Sequence, residues 1–419
     1  MWNLYGKQYD LTKYIELHPG GKDILICAKD EQDITCLFET YHAFSDISKI
    51  KKILDKYEVT NTSNEVTNKS DVVCDKNIKY EQYDFTNYHK LLNKIKIAYP
   101  DRSSIKATSS WFLFVCLTFI MYCMIFYTAM FSNYNIIIKS ICGLLAGILY
   151  ISIGFTVMHD ASHYAVCTNT HVNRILSKLW NGFILWNPKM WFYHHVYNHH
   201  SFTGVENRDP DLYHLRPFIR KLTSDTKVLD ITSKIQDKIV MPILFIFPGQ
   251  TIGQGISYLI AAFRKRLFKI KIPNISYYDK IDTSLILLNI YCLYNGLIWP
   301  TINYIIALNI TYSINIVLDH DMFETAIDNH YTGNDWLKLQ ICNSGNFLNN
   351  NMFWSCFFGG INYQIEHHLF PNMSNVHYPI IAPIVKQHCL ENNIPYVCNN
   401  SLYDAYTSYL KTLKYTRKV

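Results

Sequence analysis

Apolar and polar positions divide the chain into three stretches. Over residues 1 to about 57 the apolar positions are isolated among charged ones, and His18-Pro19-Gly20-Gly21 marks a turn. This pattern predicts a small soluble unit. Residues 58–82 are rich in Asn, Thr, Ser, Lys and Asp without apolar periodicity, which predicts a linker. From there Phe85, Tyr88, Leu91, Leu92, Ile95 and Tyr99 recur at helical spacing with lysines between them. An amphipathic helix lying on a membrane is expected. Residues 111–131 carry no charge over 21 positions, enough to cross ~30 Å of hydrocarbon. Residues 136–158 carry only Lys139, and 283–299 and 301–318 flank Trp299-Pro300. Four transmembrane helices are therefore predicted. Residues 239–263 are also apolar, but Pro, Gly and Gln interrupt them and Arg264-Lys265-Arg266 follows. They are expected to form an interfacial helix.

Histidines constrain the topology. His-containing clusters follow the second span, precede the third and follow the fourth. Four spans put all of them on one side of the membrane, whereas a fifth at 239–263 would separate them. Lys and Arg are dense at 49–56, 216–227, 264–271 and 411–418, on that same side. The positive-inside tendency makes it cytosolic.

Composition agrees with a part-membrane chain. Of 419 residues 49% are hydrophobic and 17% charged, against about 25% charged in soluble domains. With 32 Tyr, 23 Phe and 8 Trp, the chain is not a disordered polypeptide. The net charge of +6 is spread beside apolar runs, which suits an anionic membrane surface and not nucleic acid. The 12 cysteines lack a disulfide spacing framework, so reduced thiols are expected. The opening residues show no basic and apolar segments of a cleaved signal peptide.

Two histidines in the first stretch are candidate haem ligands. His18 opens the Pro-Gly-Gly turn, and His42 follows in Glu39-Thr40-Tyr41-His42-Ala43-Phe44. Two imidazoles on facing elements fill both axial positions of a haem iron, leaving it to carry electrons. Spacing alone also allows two unrelated surface histidines. The segments Tyr9–Ile15, His18–Gly21 and Phe38–Phe44 resemble a cytochrome b5 domain over residues 1–57. That resemblance implies an α+β haem domain binding haem b through His18 and His42. The first strand and helix usual in that domain look missing, so an N-terminally short, looser haem site is expected.

Three further clusters have the spacing of metal ligands. His159 and His163 are four residues apart, as are His195 and His199, with His200 adjacent; His367 and His368 form a third pair, and His320 stands alone after the fourth span. One zinc needs four ligands. Eight imidazoles suit two metal ions, and imidazole suits iron. Each cluster alone is equally consistent with a solvated helix end. His194 is left out because its ring should point away from that of His195. Asp160, Glu366, Asp209 and His377 are candidate outer partners of the ligand rings, and Gln364 a candidate weak ligand. Trp180, Trp186, Trp191 and Trp354 are expected as membrane-interface anchors, with the lining of an apolar tunnel as the alternative.

The boxes HDASH at 159, HVYNHH at 195 and QIEHH at 364, with HPGG at 18, resemble those of membrane front-end fatty acyl desaturases fused to cytochrome b5. The resemblance implies a haem domain at 1–57, a linker at 58–82 and an α-helical desaturase domain at 83–419 with a cytosolic di-metal cap. It implies two irons and O₂ as co-substrate, with a cis double bond inserted between the carboxyl end and an existing double bond of a C18–C20 polyunsaturated chain. The substrate would be a fatty acyl CoA or phospholipid ester. NADH-cytochrome b5 reductase would supply electrons through the fused haem domain, whose tether raises the donor's local concentration. The endoplasmic reticulum membrane is the expected location. The second-box spacing and Tyr41-His42-Ala43-Phe44 look most like Δ5 desaturases. Δ6 acyl and sphingolipid Δ8 desaturation remain alternatives, as does a non-catalytic b5 electron carrier with structural zinc.

Overall fold

The computed structural model describes residues 1–59, 83–179, 187–213, 215–246, 251–267, 270–272, 279–349 and 351–417. Most of the expected linker, and Trp180 and Trp186, lie outside them. The N-terminal unit opens with an antiparallel hairpin, β1 (Trp2–Leu4) and β2 (Lys7–Tyr9), turning through Tyr5 and Gly6 at positive φ. Trp2 is fully buried and its Nε1 donates to the Leu25 carbonyl at 2.8 Å. Three short helices follow: α1 (Lys22–Cys27), α2 (Thr35–Tyr41) and α3 (Ile47–Leu54). Asp46 caps α3 by accepting from the Lys49 N–H. The chain then returns to β2, where the Val59 N–H donates to the Gln8 carbonyl at 2.9 Å.

The amphipathic segment after the linker is α4 (Thr86–Lys96). Its apolar face does not lie on a membrane. Tyr88, Leu91, Leu92 and Ile95 are buried against protein, with Phe85 stacked on Trp336 at 5.3 Å and Tyr88 on Phe370 at 5.8 Å. A helical apolar stripe specifies only that something apolar covers it; here the C-terminal part of the chain does.

Among the described residues two helices, where four were expected, have the length and apolarity to cross a membrane: α5 (Ser109–Phe131), and α6 (Ile136–Ile153) with its continuation to Ser162. Only 17% of the most apolar stretch of α5 is buried. Leu113, Leu117, Ile120, Met124 and Tyr127 project outward from it, which excludes a soluble core helix. Thr108 and Asn135 cap the two helices. Helix Lys280–Asn295 spans 16 residues and helix Ile298–Val317 spans 20. Residues 239–263 contribute helices Gln236–Ile246 and Thr251–Arg264.

One contact sets the geometry of this bundle. Gly143 and Gly147 lie on the face of α6 that meets helix Ile298–Val317. A Cβ at Gly143 would stand 2.3 Å from the Pro300 carbonyl oxygen, and one at Gly147 2.4 Å from that of Tyr304. Small residues four apart let two backbones touch. Position 143 meets 300 and 147 meets 304, so the helices run parallel and end on the same side. That places His159, just past α6, near His320, just past the other helix.

Candidate haem and metal sites

The four-residue spacing of the first two boxes is that of one α-helical turn. The first box leaves a π-helical turn, Gly154–His159, and continues as an α-helical turn, Asp160–Ser162, with the His163 N–H donating to the His159 carbonyl at 3.3 Å; the second box lies instead on a π-helical stretch, Phe192–His199. Bonding from i to i+5 brings a residue five positions on toward the same face. This is how His195, His199 and His200 all reach one site. The third box stays α-helical over Gln364–Leu369, which aligns Gln364 with His368.

The eight histidines converge in two groups. Ring nitrogens of His159, His163, His195 and His367 lie within 4.8 Å of one another, as do those of His199, His320 and His368. His200 sits between the groups, its ring 4.7 Å from that of His163 and stacked 4.3 Å from that of His368. Across the site, nitrogen faces nitrogen. The Nε2 of His195 is 3.1 Å from the Nε2 atoms of both His159 and His200, and the Nε2 of His199 is 3.1 Å from that of His320.

Outer partners decide which nitrogen carries the proton. His199 Nδ1–H donates to Asp209 at 3.0 Å, and His320 Nδ1–H to the Asn343 carbonyl at 2.7 Å. Both partners only accept, so both facing Nε2 atoms carry lone pairs. The Tyr378 hydroxyl donates to the Met373 carbonyl and therefore accepts from His367 Nδ1–H at 3.2 Å. That leaves His367 Nε2 buried with no partner, as are His163 Nε2 and the Nδ1 atoms of His159 and His200. Lone pairs directed at one another in a buried site need a cation between them. The donor set fits two metal ions, one beside each group.

Burial pushes the imidazoles of His163, His195, His200, His367 and His368 well below their ordinary range, and mutual repulsion adds to it. Burial likewise lowers His320 to about 3. Neutral imidazole is the metal-binding form. At His199 burial also pulls downward, but the Asp209 and Asp211 carboxylates outweigh it and raise the ring to about 9.

The remaining candidates divide. Asp209 and Gln364 touch box histidines, Gln364 placing its side-chain amide 2.9 Å from His320 Nε2. Asp160 does not orient a ring; it accepts from Asn375 N–H and Ser374 Oγ and holds the turn behind the third box. Glu366 bonds Asn346 and Tyr396, and His377 bridges Tyr99 and the Lys106 carbonyl. For these three, helical rotation or loop packing turns the side chain away from the ring site. His194 points away from the cluster, to Tyr258 and Asp211.

In the N-terminal unit, His18 and His42 face each other with ring centroids 6.2 Å apart. Two imidazoles each ~2 Å from one shared metal atom need about this separation. His18 Nδ1–H donates to the Gly21 carbonyl and His42 Nδ1–H to that of Phe38, which frees both Nε2 atoms for the slot. A Cβ at position 20 would stand 2.5 Å from the His18 ring, so the Pro-Gly-Gly turn is what lets that ring sit there. The residues fit a haem. Burial lowers His42 to about 4, keeping it neutral.

A fatty acid desaturase family model matches residues 134–400, well over half of the chain. The chain belongs to the fatty acid desaturase family. Residues 2–63 match a cytochrome b5-like haem/steroid binding domain, so this desaturase, an oxidoreductase, carries a fused b5 domain. Several relatives extend over nearly the full chain. An acyl-lipid (8-3)-desaturase of Mortierella alpina is 26% identical, covering 98% of this chain and 92% of its own length. A Delta(5) fatty acid desaturase A of Dictyostelium discoideum is 25% identical over 97% of this chain and 88% of its own. A Delta(8)-fatty-acid desaturase 1 of Arabidopsis thaliana is 24% identical over 98% and 88%.

Several residues of the desaturase site carry no motif signal. His368 Nδ1–H is held by Gln340 Oε1 at 2.8 Å, and Thr203 stands 3.1 Å from the same nitrogen. Asn343 turns His320 through its backbone carbonyl, which any residue possesses. Trp191, expected as an interface anchor, is buried; it stacks on His195 at 4.1 Å and donates to Ser162.

Proposed function

We propose that this desaturase is a Δ5 front-end enzyme acting on C18–C20 polyunsaturated acyl chains, with an iron near each histidine group and haem b between His18 and His42. The observation that carries the reading is the pair of buried histidine groups whose lone-paired nitrogens face each other. Bound there, a pair of irons supplies the oxidising power, drawn from O₂, that protein acids and bases lack for removing hydrogen from two adjacent methylenes. The chain's own residues do the rest. Asp209, Asn343, Gln340 and Tyr378 fix the ring tautomers, and burial keeps bulk water out.

Iron is favoured over structural zinc because eight imidazoles exceed a four-coordinate site and zinc has no redox chemistry. Front-end chemistry is supported by Gln364, which stands where most membrane desaturases are expected to carry a histidine. The Dictyostelium name supports Δ5, and the Arabidopsis name keeps Δ8 in view. Four membrane crossings are supported by the parallel run of α6 and helix Ile298–Val317, whose 20 residues reach ~30 Å. Helix Lys280–Asn295 would then be the shortest crossing. In this reading the metal site and haem domain face the cytosol at the endoplasmic reticulum. Electrons come from NADH through a b5 reductase, and the substrate is a CoA or phospholipid ester.

The test is expression in a host with its own b5 reductase, fed ω6 and ω3 C18 and C20 polyunsaturated acids, with mass spectrometry to locate new double bonds. A new Δ5 bond on the carboxyl side of an existing one is expected. A new bond at Δ6 or Δ8 keeps front-end desaturation and overturns Δ5. No product from protein carrying both irons and haem overturns the acyl substrate class.

A further inference from the structure

The haem domain and the metal site meet at one side chain. Tyr41 is the last residue of α2, and its hydroxyl lies 2.7 Å from His163 Nδ1. The two rings are near parallel, at 17°, with centroids 6.4 Å apart. The next residue, His42, faces His18 across the haem slot. Successive helical positions point ~100° apart, so one helix end presents a ring to each site. The desaturase domain grips this end. Asn372 Nδ2 donates to the Tyr41 carbonyl at 3.1 Å, and Phe44 packs on Phe370 at 5.9 Å.

The bond has a chemical consequence. His163 Nε2 is buried, unpartnered and directed into the histidine group with His159, His195 and His367. When His163 Nδ1–H donates to the Tyr41 oxygen, Nε2 carries the lone pair a metal needs. A second ring nitrogen held this way fixes both tautomer and ring angle, and losing the holder costs roughly 10–100-fold in metal affinity. His199, His320, His367 and His368 have their holders within the desaturase domain. His163 has its holder in the haem domain.

We propose that Tyr41 is a positioning residue of the metal centre contributed by the haem domain, so that docking of the electron-donor domain and completion of the metal site are one event. This rests on reading His163 as a metal ligand. It also accounts for a tight interface: Tyr193 and Tyr197 donate to the Cys27 and Asp33 carbonyls, and Arg174 pairs with Asp23 at 2.9 Å.

The test uses the full chain with haem bound and iron removed. Cobalt(II) binding is measured by equilibrium dialysis with elemental analysis, and the cobalt EPR signal is recorded. Tyr41→Phe keeps the ring and removes only the hydroxyl. Arg174→Met removes a cross-domain ion pair, to Asp23 at 2.9 Å, that lies outside the histidine boxes. Tyr41→Phe is expected to weaken one of two cobalt ions roughly 10–100-fold and change that ion's EPR signal. Arg174→Met should bind both as the parent does, and the reduced haem band should be equal in all three. Unaltered cobalt binding in Tyr41→Phe, or equal weakening in both variants, overturns the proposal. A parent chain that binds no cobalt overturns the metal-ligand reading beneath it.

Discussion

Asp209 and His199 form a buried carboxylate–imidazole contact at the metal site. One carboxylate oxygen of Asp209 accepts the His199 Nδ1–H at 3.0 Å, and the other accepts the Gly204 N–H at 2.7 Å. The carboxylate is held from the protein side and pushes electron density through the imidazole toward Nε2. Asp209→Asn keeps the shape and removes the charge. Iron at the His199, His320 and His368 group should bind roughly 10–100-fold more weakly. Retention of both irons after dialysis at the parent's level would falsify this role.

His42→Ala removes one of the two rings that bracket the haem slot. The reduced b5 absorbance band should vanish, while iron bound at the boxes, which do not include His42, is retained. An unchanged visible spectrum in the purified variant would show that haem is held elsewhere.

Gln364 presents its amide to His320 at 2.9 Å and to His368 at 3.4 Å, at the edge of one histidine group. Its Oε1 is buried without a partner. Gln364→His should keep both irons and alter activity, because a neutral ring replaces the amide beside ligands that remain. Gln364→Ala should keep both irons too. Loss of both from the alanine variant, measured by elemental analysis, would make Gln364 a ligand of first importance.

Lys106 supplies a pH dependence outside the metal site. Its buried Nζ donates to the carbonyls of Tyr164 and Asn372, each at 2.8 Å, tying the first box to the third. Burial lowers its pKa from the ordinary 10.5 to about 7. In the fold it is largely neutral above pH 7, whereas the unfolded chain keeps the proton up to 10.5. The unfolded state thus binds more protons in that window, and stability rises with pH, by on the order of 2 kcal/mol between pH 7 and 9. Thermal midpoints in detergent should rise over that range more for the parent than for Lys106→Met. Parallel curves for the two would sink the assignment.

The sequence by itself determined what is local or chemical. The uncharged run at 111–131 is too long and apolar to be anything but a buried or membrane helix. HPGG forces a tight turn beside a ring. The donor types at 159, 163, 195, 199, 200, 320, 367 and 368 suit transition metals wherever they meet. The family resemblance rested on these same residues. Tertiary structure decided everything that depends on what lies opposite. A helical stripe at 85–99 requires a cover but cannot say whether lipid or protein provides it, and Trp336 and Phe370 provide it. Spacing of four residues is compatible with α- and π-turns alike, and packing selected the π-turns that admit His200. Asp160, Glu366 and Asp209 are alike in sequence as acidic neighbours of boxes, yet only Asp209 meets a ligand ring. Tyr41, Gln340 and the Asn343 carbonyl have no sequence signal as ring holders, because orientation of a ring through space is a property of the assembled fold.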